Sequence, residues 1–345
     1  MSNALDEAAL APWLENHVPG FEDFKSLTKF GDGQSNPTYR VDAASGSYVL
    51  RAKPPGELLK SAHAVDREFR VMRALGETNV PVPKMLTLSE EGDESPIGRM
   101  FFVMEYLDGR IFWDPALEEL GDDNAMRGRV YDAMNDSLAK LHDVNVESVG
   151  LGDFGKPGNY FARQTDRWAK QYRASEVEHN QTVHDVIDWL EKNMPEDDGV
   201  VSIVHGDYRM DNMIFANDRE DVIAILDWEL STLGHPLADL AYQCMQWRLP
   251  HQSGMRGLGG IDRASLGIPT EKDYIARYCE RRGIDSIPNW PFYIAFCFFK
   301  LTGILQGVYK RALDGNASNP KRAKEMAVAI PLLAQAAMHE IQKSS

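Results

Sequence analysis

Residues 204–215 read VHGDYRMDNMIF. The apolar residues Val200, Val201, Ile203 and Val204 lead into this stretch, and Met213, Ile214 and Phe215 lead out of it. Between them stand His205, Asp207, Arg209, Asp211 and Asn212. Polar residues held between two buried-looking strands form a loop that can carry chemistry on a rigid scaffold. A carboxylate in such a loop can accept the proton of an attacking hydroxyl, and a side-chain carbonyl oxygen can ligate a hard cation such as Mg2+. Asp207 and Asn212 offer that pair. A second carboxylate, Asp227, ends the apolar run VIAIL and opens Asp227-Trp228-Glu229, a placement suited to a Mg2+ ligand beneath nucleotide phosphates. Glu229 reads either as a further arm toward the metal or as a turn cap.

The spacing of Asp207 and Asn212 is that of the protein-kinase catalytic loop, H-R-D-L-x-x-x-N, and Asp227 falls where the D-F-G aspartate would. Upstream, Tyr48-Val49-Leu50-Arg51 aligns with V-A-I-K, which puts Arg51 in place of the phosphate-pairing lysine. Lys53 follows two residues later on the same strand face, so either cation could meet the α- and β-phosphates. Glu68, in the helical stretch VDREFRVM, is the natural carboxylate to hold it. Gly31-Asp32-Gly33-Gln34-Ser35-Asn36 stands where a glycine-rich phosphate loop belongs, with Asn36 in place of a third glycine. Each feature has a bland reading: Asp and Asn cap turns, strand and helix charges are commonly solvated, and glycines make hairpins. Three such residues at kinase spacing, each beside a strand, favour catalysis. Arg163, Arg167 and Lys170 recur at helical spacing near Trp168 and Tyr172, either as a cationic surface for an anionic substrate such as a CoA ester or as a solvated face. His142 reads as a helix-end residue that braces the catalytic loop.

The elements that must position these residues follow from periodicity. Residues 4–17 form an amphipathic helix, followed by strands SLTKF, PTYRVDA and SYVLRAK with a hairpin around Ala44–Ser47. Residues 65–75 are helical, and PVPKMLTLS and RMFFVMEYL are strand-like. Asp108-Gly109 marks a boundary, dividing the chain into 1–107 and 108–345. Beyond it helices are expected over 124–142, 159–175, 181–192, 235–248, 271–282, 290–312 and 320–342. Residues 251–269 are glycine-rich and read as a loop.

Composition narrows the function classes. The 345 residues carry 37 Lys+Arg against 52 Asp+Glu, a net charge of -15, which argues against a nucleic-acid partner. Cys244, Cys279 and Cys297 are far apart and read as reduced core thiols. The acidic start lacks the apolar core of a leader, and the run 292–309 is interrupted by Lys300, Gln306 and two glycines. That run is expected to be a buried helix and not a membrane span, in a cytoplasmic protein.

HGDYRMDN, AILDWE and HPLADLAY together resemble the aminoglycoside phosphotransferase and choline kinase-like family. GDGQSNPTYRV, VLRAKPPG, FFVMEYLDGRIF, VGLGDFGKPGNYFARQTDRWAKQY and LDWELSTLGHPLADLAY are similar to one branch, the phosphotransferase domain fused to acyl-CoA dehydrogenases in animals. The resemblance runs from about residue 25 to 312 and is expected to use up the chain, leaving no room for a dehydrogenase domain. It implies an α+β, two-lobed protein-kinase-like fold, with a small β-rich N-lobe, a large helical C-lobe and Mg2+-ATP in the cleft. It implies Asp207 as base, Asn212 and Asp227 as metal ligands, and Arg51 with Glu68 as the cation–carboxylate pair. Glu105, Tyr106 and Leu107 match the hinge that meets adenine, and His205 and Asp239 match positions bracing the catalytic loop. The expected reaction is transfer of the ATP γ-phosphoryl group to a hydroxyl of a small molecule. The branch suggests a hydroxyacyl-CoA or hydroxy acid, with a functional link to an acyl-CoA dehydrogenase. An aminoglycoside, choline or homoserine-type acceptor is the alternative within enzymes. A nucleotide-binding regulatory pseudokinase is the alternative outside them, disfavoured because Asp207, Asn212 and Asp227 are all present.

Overall fold

The computed structural model describes residues 5–31, 36–55, 64–90, 95–251, 256–316 and 319–343. In chain order the elements begin with α1 (Glu7–His17), β1 (Phe24–Lys29), β2 (Thr38–Ala43), β3 (Gly46–Ala52), α2 (Val65–Leu75), β4 (Met85–Ser89) and β5 (Phe101–Glu105). Next come α3 (Asn124–Asp143), α4 (Tyr160–Ser175), α5 (Gln181–Lys192), β6 (Ser202–Val204), β7 (Met213–Phe215), β8 (Val222–Ile225) and β9 (Thr232–Gly234). The chain finishes with α6 (Leu237–Cys244), α7 (Glu271–Arg282), α8 (Trp290–Leu313), α9 (Pro320–Ala327) and α10 (Ala329–Lys343). These fall into two compact units. The first comprises Met1–Ile111, Glu147–Leu151 and Asn212–Ser231; the second comprises Phe112–Val146, Gly152–Asp211 and Thr232–Ser345.

The first unit is built on an antiparallel sheet in the order β1-β2-β3-β5-β4. Strand alternation divides its side chains between two faces. Tyr39, Val41, Leu50, Ala52, Phe101 and Val103 form one apolar face, packed with Leu10 and Leu14 of α1. Arg51, between Leu50 and Ala52, therefore points to the opposite face. Helix α2 buries Val65, Glu68, Phe69, Met72 and Leu75, a stripe at helical spacing that contains one carboxylate. The β7–β8 hairpin completes this unit, with Met213 paired to Ile225. Reciprocal backbone bonds of 2.8 Å join Arg110 to Phe215.

The second unit is helical around a short β6–β9 pair, with Val204 opposite Thr232. Its centre is α8, which packs on α4, α6 and α10. By length and composition α8 could cross a membrane, but 72% of its apolar window is buried within the protein. Two expected helices are shorter than periodicity suggested. The stretch 235–248 forms α6 and then a single tighter turn, Met245–Trp247. The stretch 320–342 is two helices, α9 and α10, separated at Val328. Pro331 explains the break, since it has no N–H for the carbonyl of Ala327 and its ring crowds that carbonyl.

One contact limits how the hairpin meets the sheet. A Cβ on Gly109 would lie 2.4 Å from Ile214 Cγ2 and 2.5 Å from the Phe215 carbonyl oxygen. The oxygen belongs to backbone already engaged with Arg110, so it cannot retreat cheaply. Gly109→Ala is expected to destabilise the protein by about 1–3 kcal/mol, as overpacking does. Chemical denaturation measures this, and an unchanged midpoint would refute the constraint.

Candidate functional site

The first unit gathers a cluster of opposite charges. Arg51 Nε lies 2.8 Å from Glu68 Oε2, and Arg51 Nη2 lies 2.7 Å from Asp227 Oδ1 and 3.9 Å from Glu229 Oε2. Glu68 is 1% exposed, and its second oxygen accepts a hydrogen bond from Asn36 Nδ2 at 2.6 Å. Asn36 thus turns its side chain to a buried carboxylate. Gly31 has φ +28°, while Gly33, Gln34 and Ser35 of the expected phosphate loop lie outside the described residues. Between the two candidate cations, Arg51 meets Glu68; Lys53 stands just past the end of β3, its amide bonded to the Met100 carbonyl.

Asn212 and Asp227 come together through the hairpin. Asn212 directly precedes β7, and its carbonyl accepts from the Leu226 amide at 2.8 Å, beside Asp227. Asp227 adopts a left-handed φ of +64°, sparsely populated for a non-glycine residue. Trp228 anchors this turn: it is buried, and its indole N–H donates to the Ile225 carbonyl at 2.9 Å. The oxygen donors of Asp227, Asn212 and Glu229 suit a hard divalent cation. Glu68, Asp227 and Glu229 all lie within 3.9 Å of the Arg51 guanidinium, which gathers their oxygens around one point. Burial pushes Glu68 up, Arg51 and Asn36 pull it down, and Asp227 and Glu229 raise it again, with the net result that it is raised to about 7.

The second unit holds the loop of Asp207. Asp239, 1% exposed, accepts from the His205 amide at 2.6 Å and the Gly206 amide at 2.8 Å. Its Oδ2 also meets His142 Nε2 at 3.5 Å, and His142 Nδ1 meets the Tyr278 hydroxyl at 2.8 Å. Burial works against the Asp239 carboxylate, yet His142 and the loop amides outweigh it and hold the group below its ordinary value. Burial lowers His142 in turn, which favours a neutral ring. Gly206 takes φ +86°, where a side chain would be strained, and the Asp207 amide donates to His205 Nδ1 at 3.2 Å. Tyr208, fully buried, donates to the Met134 carbonyl at 2.7 Å and ties the loop to α3. Arg209 is paired to Asp211 and stands 3.9 Å from Asp207 Oδ1.

Two residues of this loop's setting escaped sequence reasoning. The Tyr242 hydroxyl hydrogen-bonds Asp207, and burial together with that carboxylate drives its pKa well upward. Lys300 Nζ donates to the Gly206 carbonyl at 2.8 Å and stands 5.2 Å from the centre of the Tyr242 ring. The signals were present. Tyr242 lies three residues after Asp239, on the same helix face, and Lys300 is the one charge within the apolar run 292–309 and so needs a polar partner.

The remaining candidates have local partners. Arg163 donates to the Lys156 and Pro157 carbonyls, Arg167 lies over Trp168 at 5.3 Å, and Lys170 pairs with Asp166 at 2.8 Å on the exposed face of α4. The Glu105 carboxylate accepts from the Lys84 amide, and the Tyr106 ring packs under Arg40 at 4.6 Å. Leu107 follows them just past β5.

The raised Glu68 carboxyl has a measurable consequence. Folded protein retains this proton between about 4.5 and 7, where unfolded chain releases it. The resulting stability is full below the unfolded value and lost as pH rises through 7. In metal-free, nucleotide-free protein, the stability of wild type relative to Glu68→Gln should fall by about 2–3 kcal/mol between pH 4.5 and 8. A difference independent of pH would show that Arg51 fully compensates the charge.

Comparison with known proteins places this arrangement. The model of the phosphotransferase enzyme family matches residues 26–277. The chain is 47% identical over 294 residues to acyl-CoA dehydrogenase family member 10 of Mus musculus, an alignment covering 85% of this chain and 27% of that protein. The chain thus spans well under half the length of that curated relative. A crystal structure of a candidate aminoglycoside phosphotransferase from Ralstonia eutropha is 44% identical, covers 99% of both chains and superposes with a TM-score of 0.89. Spectinomycin phosphotransferase, solved with ADP and spectinomycin, is 13% identical with a TM-score of 0.65 over 99% of this chain and all of its own, a likeness of fold. The chain has a kinase-like α+β fold and belongs to the phosphotransferase enzyme family.

Proposed function

We propose that this protein transfers the γ-phosphoryl group of ATP to a hydroxyl of a small molecule, with Mg2+ as cofactor. The observation that carries the reading is Arg51 bridging Glu68 and Asp227 at 2.8 and 2.7 Å. A guanidinium held between carboxylates on a strand is fixed in direction, ready to meet phosphate oxygens. Asp227 and Asn212 hold the metal ion, which when bound neutralises charge on the phosphates. Asp207 orients the acceptor hydroxyl and takes its proton, while Tyr242 and the Asp239-braced backbone keep that carboxylate in place. Most of the rate comes from positioning and fixed electrostatics, as in other phosphoryl transfers.

For the acceptor we propose a hydroxyacyl-CoA or hydroxy acid. The mouse relative, named as an acyl-CoA dehydrogenase family member, supports this reading, and a functional link to such a dehydrogenase is proposed with it. An aminoglycoside-type acceptor is the second reading, favoured by the description of the Ralstonia eutropha protein.

Asp207→Asn is expected to cut kcat by about 10²–10⁴-fold, the usual worth of a general base, with nucleotide affinity little changed. Asp227→Ala is expected to abolish the Mg2+-dependent part of nucleotide binding. ADP release from Mg2+-ATP, with Asp207→Asn as blank, tests the acceptor across 4-hydroxyacyl-CoAs, free hydroxy acids, choline, homoserine and an aminoglycoside. Turnover confined to acyl-CoAs supports the first acceptor, and turnover with amine-bearing substrates replaces it. ATP binding with no turnover on any of them favours a regulatory pseudokinase.

A further inference from the structure

Apart from the kinase residues, the segment EVEHNQTVH places Glu176, His179 and His184 around one point. Glu176 follows the last residue of α4, His179 lies in the connection and His184 sits in the first turn of α5. His184 Nε2 lies 2.9 and 3.1 Å from the two Glu176 oxygens, and His179 Nδ1 lies 3.5 Å from Oε1. One ligand atom from each residue falls within 4.8 Å of the other two. A tetrahedral ion with bonds of about 2.0–2.1 Å spaces its ligand atoms about 3.3 Å apart. The two edges at Glu176 already match that spacing to within a few tenths of an ångström.

The surrounding hydrogen bonds specify which nitrogen of His179 is available. Gln181 Nε2 donates to Asp185 Oδ1 at 2.8 Å, so Gln181 Oε1 is the atom turned to His179 Nε2 at 3.2 Å. That carbonyl oxygen accepts a hydrogen bond from Nε2–H, and in the neutral ring the Nδ1 lone pair then faces the Glu176 carboxylate. A proton on the ring or a bound metal ion relieves that juxtaposition, and only a metal ion engages His184 and Glu176 at the same point. The same pattern, an outer carbonyl fixing the inner nitrogen, orients histidines at metal centres. Glu176 is oriented too, by the Asn180 amide at 3.1 Å and the Tyr172 hydroxyl. His179 is exposed and lines a cavity of about 610 Å3 bounded also by Tyr309, Lys324 and Val328, so its ring is reachable by an ion from solvent.

We propose that Glu176, His179 and His184 form a binding site for a zinc-class divalent ion, clamping the end of α4 to the start of α5. The mixed nitrogen and oxygen donors select such an ion over Mg2+, which prefers oxygen and water. The test uses the full chain, stripped with chelator and titrated with Co2+. One equivalent should bind with the strong visible bands of a tetrahedral site, be displaced by one equivalent of Zn2+ and resist excess Mg2+. His179→Gln and His184→Gln should each weaken binding at least about tenfold, a typical loss when a metal centre is damaged. His179→Gln leaves the Glu176–His184 pair intact, so its metal-free melting temperature should match wild type. Absence of tetrahedral bands in wild type, or bands that persist in both variants, would overturn the proposal.

Discussion

Two carboxylates, Glu68 in the first unit and Asp239 in the second, are each 1% exposed, and the residues around each are organised by how it keeps company out of water. An unpaired buried charge is costly enough that the group either finds partners or gives up its ionisation. Asp239 follows the first course: two backbone amides and a buried histidine surround it. Its partners are the backbone of the loop that presents Asp207, so the same bonds that make the charge tolerable also shape that loop. Glu68 follows a middle course. Arg51 and Asn36 satisfy its oxygens, but Asp227 and Glu229 crowd the same guanidinium, and the carboxyl rises to about 7.

The scaffold contributes by separating faces. The alternation of β3 sends Leu50 and Ala52 into the core shared with α1 and sends Arg51 the other way. Helix α2 buries a stripe that would be wholly apolar but for Glu68. The β7–β8 hairpin brings Asn212 and Asp227 to one end, where the Leu226 amide bonds the Asn212 carbonyl, and Trp228 holds the strained Asp227 turn. None of these devices belongs to the chemistry itself. Each removes a degree of freedom from a group that the proposed phosphoryl transfer needs held in place.

Much of this was legible in the sequence. Asp207, Asn212 and Asp227 stand out because polar residues beside apolar strands conflict with burial unless they have a task. The α+β character, the sheet-then-helix order and most element bounds follow from periods of two and 3.6. The resemblance to phosphotransferases rests on motifs spread along most of the chain, and the family match over residues 26–277 agrees with it. Where the pattern misled, at residues 320–342, a proline inside an otherwise helical period divides the helix.

Tertiary structure decided the pairings. The sequence allowed Arg51 or Lys53 to meet Glu68, and both lie on the same side of an extended chain; β3 ends between them, and Arg51 lies 2.8 Å from Glu68. The roles of Tyr242 and Lys300 depend on helices α6 and α8 packing together, and no local period records which residues a distant helix will meet. The cations of α4 show the reverse case, where a suggestive spacing resolves into separate local partners. Local sequence determines which face a side chain occupies, because backbone geometry has a fixed period. Which charge it finds there is settled only when long-range packing closes, because that choice minimises burial cost over the whole unit.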